Sequence, residues 1–263
     1  MSDIVNGAPH VPQARWRFNV LGAVAIVATV AMLMQGRIPQ PAAFHLFADG
    51  RTLLGVPNFW NVASNLAFLV AGVLGLMAYA RAGPALDPAL RPAYLAVFLG
   101  SALICLGSGW YHLAPDTPRL AWDRLPISLT FMGMFSVVVG EYLKPDWGRR
   151  LLAPLLAAGM ASVAYWHFSE VMGLGDLRFY ALVQVIPLLL VPLILILFRA
   201  GRPGRLSSAH LWGMVGLYGV AKVLESFDPE LLQITGLSGH TWKHLAAGAA
   251  VYLFVLAMKK KRL

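Results

Sequence analysis

The feature that most constrains this chain is its succession of long apolar runs. A bilayer core takes about 20 apolar residues per helix. Runs of that kind recur at 18–35, 59–80, 92–113, 121–143, 149–168, 176–198, 207–224 and 240–258, with glycine and polar residues diluting the fifth and seventh most. Clusters of turn formers separate them: Pro39-Gln40-Pro41, Gly83-Pro84, Pro115-Asp116, Lys144-Pro145-Asp146 and Arg202-Pro203-Gly204. At 263 residues the chain is 58% hydrophobic and 13% charged, too little polar surface for a soluble domain of this size. The expectation is an all-α polytopic membrane bundle of about eight spans, without a soluble domain or internal repeat.

Charge tests that count. The net charge of +9 does not indicate nucleic acid, because the basic residues are scattered between apolar runs. With the N-terminus inside, eight spans place 14 Lys and Arg on one side, including Arg15, Arg17, Arg149, Arg150 and Lys259–Arg262. Seven fall on the other: Arg37, Arg51, Arg119, Arg124, Arg178, Lys222 and Lys243. The positive-inside rule then predicts cytoplasmic termini. Residues 1–17 read as a polar cytoplasmic segment without the apolar core of a signal peptide, and 259–263 as a basic tail suited to anionic headgroups. The composition suggests a bacterial inner membrane. Asp49, Asp116, Asp123, Glu170, Asp176, Glu225, Asp228 and Glu230 gather on the opposite, non-cytoplasmic face. They either fill that face by default or form a cation-friendly mouth. Cys105 is the only cysteine, which excludes a disulfide framework and a cysteine zinc site.

Ionisable residues within spans are costly and mark function or specific pairing. Ser108 and His112 end the third span, Asp123 opens the fourth, and His240 and His244 open the eighth. All five fall on the non-cytoplasmic side. His240 and His244 are i and i+4, so one helix face presents two imidazoles to a single metal. A third histidine from a neighbouring helix would leave one tetrahedral position open, as catalytic zinc sites do. Ser108 and His112 share the same spacing. Asp123 follows across a short proline-containing turn, which makes the third and fourth spans antiparallel neighbours. Asn61, Ser64 and Asn65 put polar groups on one face of the second span, for interhelical hydrogen bonds or a role beneath the metal. Lys222 and Glu225 read as a local ion pair.

The string Leu106-Gly107-Ser108-x3-His112-x10-Asp123-x-Leu125-Pro126, with the distal His240-x3-His244 and the segment FWNVASN at 59–65, resembles the alkaline ceramidases. These belong to a superfamily of seven-helix membrane proteins that includes the adiponectin and progestin receptors. The resemblance spans residues 45–258 and implies a seven-helix ceramidase-like domain, with 18–35 as an added transmembrane helix. It implies zinc bound by His112, His240 and His244, with Asp123 and Ser108 at the zinc-bound water. The implied reaction is hydrolysis of the amide of ceramide or a related N-acyl lipid, a membrane lipid substrate. Animal members also hold calcium before the first core helix, where this chain offers Asp49 and Asn58; a tight polar turn is the competing reading. Two other function classes compete with the hydrolase. One is a receptor or sensor that keeps the zinc site structurally. The other is a metal transporter, disfavoured because transport sites sit near the midplane.

Overall fold

The computed structural model describes residues 15–82, 86–199 and 206–260. Residues 1–14, the Gly83-Pro84 and Arg202-Pro203-Gly204 breaks and the end of the basic tail lie outside the described residues. The helices are α1 (Arg15–Met34), α2 (Phe59–Ala63), α3 (Leu66–Ala82), α4 (Arg91–Leu113), α5 (Thr117–Tyr142), α6 (Pro145–Val171), α7 (Arg178–Leu197), α8 (Ser208–Ser226), α9 (Asp228–Thr235) and α10 (Gly239–Lys260), with a 3-10 turn at Ala42–His45. The fold is an all-α polytopic bundle. Among the described residues, seven spans are long and apolar enough to cross a membrane, α2 and α3 together making one. The more polar α8 is not among them, in line with its dilution in the sequence. It nevertheless runs the bundle's length antiparallel to α10. Lys243 near the start of α10 meets Glu225 near the end of α8, and Leu253 lies against Gly213 at the other end.

Some helix starts extend beyond the apolar runs because polar residues make good first turns. Asp116 accepts from the Arg119 amide at 2.7 Å and Pro118 follows in the first turn, so α5 begins at Thr117, four residues before its apolar run. The second span is two helices rather than one. Asn65 Nδ2 and Ser64 Oγ both donate to the Asn61 carbonyl, at 2.7 and 3.2 Å, competing with the helical ladder where α2 ends.

The main core runs through α3, α4, α5, α7, α8 and α10, with Tyr94, Phe98 and Phe254 among its largest buried side chains. Helix α1 lies at the periphery against α7, with Leu21 as its buried residue. A clamp fixes the segment after α1. Arg178 donates to both carboxylate oxygens of Asp176, at 2.9 and 2.8 Å, and to the carbonyls of Leu33 and Gln35. The Leu177 amide donates to the Ile38 carbonyl.

In the loop before α7, hydrogen bonds from Arg178 hold the Asp176 carboxyl down at about 2, below the ordinary value of about 3.9. A depressed folded-state value stabilises the protein above about pH 4, and that contribution is lost as pH falls towards 2. Thermal midpoints measured from pH 6 to pH 2 should therefore fall more steeply for the wild type than for Asp176→Asn, the two curves converging at the acid end. Parallel curves would show that the clamp does not stabilise the fold.

Candidate metal centre

The site is assembled from three helix ends. Helices α4 and α5 form a hairpin around the turn at 114–116, and they approach closely at Gly107. A Cβ added there would collide with the Trp122 carbonyl, so only glycine brings the backbones together at this level. The close approach sets Ser108 near Asp123, both on the wall of one cavity. Asp123 lies in the second turn of α5 rather than at its opening, one turn deeper than the hydropathy pattern suggested.

The other two histidines are placed by α9 and the start of α10. Gly236 ends α9 with φ at +77°, a left-handed cap that suits glycine. An added Cβ on Gly239 would collide with the Leu224 carbonyl, so α10 starts tight against the end of α8. Asp228 then anchors both sides of the site. Its Oδ1 accepts from the His240 amide at 2.7 Å and its Oδ2 from the Ala48 amide at 2.9 Å.

His112, His240 and His244 converge as expected. All three are buried, at 1, 5 and 4% exposure, and their ligand atoms lie within 4.8 Å of one another. The Nε2 atoms of His112 and His240 are 3.3 Å apart. Two imidazole nitrogens on a tetrahedral zinc, each about 2.0–2.1 Å from it, are separated by about 3.3–3.4 Å. His244 is held through its other nitrogen, Nδ1, by Ser64 Oγ at 2.8 Å, which leaves Nε2 for a ligand role. Such outer contacts fix ring orientation and tautomer at metal sites. The three residues fit a divalent metal well; they are the group of this kind found among the described residues.

Comparison of the chain with family models and with curated proteins finds no match. The site is therefore read from its own geometry.

A cavity of about 280 Å³ begins at this cluster, near the lower end of the range for small-molecule sites. Ser108, His112, Asp123, His240 and His244 line its polar end, and Phe68, Ile104, Met134, Val191, Met214 and Phe254 its apolar length. Phe47 closes the site from the linker, its ring centroid 4.7 Å from that of His112 and 4.6 Å from that of His240. His45 bonds Tyr111 Oη at 3.0 Å and Thr117 Oγ1 at 3.1 Å. Burial pushes the His45 pKa down, which favours the neutral ring.

Several acidic residues at this end are engaged in contacts that hold the fold. Asp116 pairs with Arg119, Glu225 with Lys222 and Lys243, and Glu170 accepts from the Gln40 amide and Trp166 Nε1. Asp49, a candidate calcium ligand, accepts from Arg51 Nε and Nη2 at 2.8 and 2.6 Å, and Asn58 donates to the His112 carbonyl at 2.9 Å. Calcium takes six to eight oxygen ligands; here both Asp49 oxygens accept from Arg51, and Asn58 reaches the His112 carbonyl through its Nδ2. Leu54, Gly55 and Asn58 all have positive φ, so the segment has the form of a tight polar turn.

Phe47, alone in a short loop, carried no sequence signal; Asp228 was legible only as one of the acidic residues of this face, and its bond to the His240 amide twelve residues later was not. Ser64 was legible as part of a polar face, and the tertiary contact gives it a ligand to orient.

Proposed function

We propose that this protein is a zinc-dependent intramembrane hydrolase that cleaves the amide bond of ceramide or a related N-acyl lipid. The observation that carries the reading is the shared cavity: three converging imidazoles and the Asp123 carboxylate stand at the head of an apolar space between the helices. The resemblance to the alkaline ceramidases in the Ser108, His112, Asp123, His240 and His244 pattern points the same way.

His112, His240 and His244 would hold the metal. Zinc bound there would supply a Lewis acid able to activate water near neutral pH. Asp123 takes the proton of the attacking water on its carboxylate and returns it to the amide nitrogen as that nitrogen leaves. Ser108 stands beside the Asp123 carboxylate at the head of the cavity, and its single hydroxyl proton serves the oxygen that gains charge at the acyl carbon. The balance is simple: the C–N bond breaks, the water oxygen joins the acyl carbon, and the products are a fatty acid and an amine.

The apolar length of the cavity takes the acyl chain. Helices α7 and α8 touch sparsely and are bridged by Tyr218 Oη donating to Gln184 Oε1 at 3.1 Å, and this seam offers the chain a lateral way in from the bilayer. The positive-inside balance orients the site towards the non-cytoplasmic face.

Purified protein should carry about one zinc per chain and release fatty acid from N-acyl lipids in detergent or bilayers. A chelator should abolish release and added zinc restore it. Activity indifferent to chelation, or no cleavage of any N-acyl lipid by zinc-loaded protein, would sink the reading.

A further inference from the structure

Arg124 follows Asp123 on α5 and lines the same cavity, yet it is 5% exposed. Its guanidinium lies 4.1 Å from the Trp166 ring centroid and 4.7 Å from that of Tyr180. Nη2 donates to Gln40 Oε1 at 2.6 Å, while Nη1 is buried with no hydrogen-bond partner. Taking a guanidinium out of water is costly and is ordinarily offset by a paired carboxylate; aromatic faces recover part of that cost. Anchoring the linker through Gln40 accounts for Nη2. It leaves Nη1 unexplained.

The α8–α10 side of the cavity is also positive. Lys222 and Lys243 both donate to Glu225, at 3.0 and 2.6 Å, so two ammonium groups share one carboxylate. Among the charged residues lining the cavity, Arg124, Lys222 and Lys243 stand against Asp123 and Glu225. Three cations and two anions line the cavity before any metal adds its charge, with Glu170 a further carboxylate near Arg124 outside the lining. A neutral lipid head makes no use of that excess.

We propose that Arg124, with the Lys222–Glu225–Lys243 cluster, receives an anionic group at the polar end of the lipid. The substrate class is then an acidic N-acyl lipid, bearing a carboxylate or phosphate near the scissile amide. A planar guanidinium with a free N–H suits either oxyanion. This narrows the hydrolase reading and rests on it for the word substrate, but the binding preference is testable without turnover.

The test uses two matched pairs in nonionic detergent. N-Dodecanoylglycine is compared with its methyl ester, and N-dodecanoylethanolamine phosphate with the unphosphorylated amide. Binding to metal-stripped full-length protein is read as the shift in thermal midpoint, and hydrolysis by the zinc-loaded protein as kcat/KM. One charge-assisted hydrogen bond predicts a preference of about tenfold to a hundredfold for the charged member of a pair. The pair that shows it separates carboxylate from phosphate. Arg124→Gln should abolish most of the preference and Arg124→Lys should restore part of it, a pattern that mere anchoring of the linker does not produce. Equal binding of charged and neutral members by the wild type overturns the proposal, and that comparison does not depend on a variant folding. An undiminished preference in Arg124→Gln overturns it too. If neutral ceramide is cleaved while neither anion is preferred, the hydrolase stands and the anion site falls. If the anions bind selectively but nothing is cleaved, the outcome is the reverse.

Discussion

Replacing His240 with alanine should leave a folded protein that no longer retains its metal and no longer cleaves lipid. Structural zinc sites with four ligands bind with roughly 10–16 kcal/mol, so one ligand is worth about 3 kcal/mol and its loss weakens affinity by two decades or more. The fold should tolerate the change, because Asp228 is bonded to the backbone amide of His240 and not to its ring. Metal content after gel filtration, measured with circular dichroism on the same sample, checks both halves. A variant that keeps about one zinc per chain would show that the three imidazoles do not form the centre. A variant that loses the metal but keeps full activity would separate the metal from the reaction.

Asp123→Asn tests the chemistry rather than the centre. The amide keeps the size of the carboxylate and can still meet Ser108, so zinc content should stay at the wild-type level. What it loses is the ability to accept a proton. General-base assistance is worth about a hundredfold to ten-thousandfold, and the loss should fall on kcat with KM little changed. A zinc-loaded variant within about threefold of wild-type kcat would remove Asp123 from the mechanism. A large rise in KM alone would recast it as a binding group.

The two experiments rest on parts of the site that were differently legible in the sequence. The histidines at 240 and 244 could be paired from their spacing, because a helix brings i and i+4 onto one face whatever surrounds it. The convergence of His112 with them had to come from the side on which each helix ended. That depended on counting spans correctly, and the polar α8 was the weakest of them. It traverses the bundle because α10 packs along it, a tertiary circumstance that hydropathy of the run alone does not record.

The sequence by itself determined where the long helices lie, how they alternate across the bundle, and which five polar residues share one end. These follow from local properties: the length of an apolar run, the period of a helix, and the cost of an ion in hydrocarbon. The tertiary structure decided how the end is built. It gave Gly107 and Gly239 their reason, as points where one backbone meets another's carbonyl, and it handed His244 Nδ1 to Ser64 from 180 residues away. It committed Asp49 to Arg51 and left Nη1 of Arg124 without a partner. A residue's partners are fixed by which surfaces come within about 3 Å of it. Between helices that distance is set by the packing of the whole bundle, and no single run of sequence contains it.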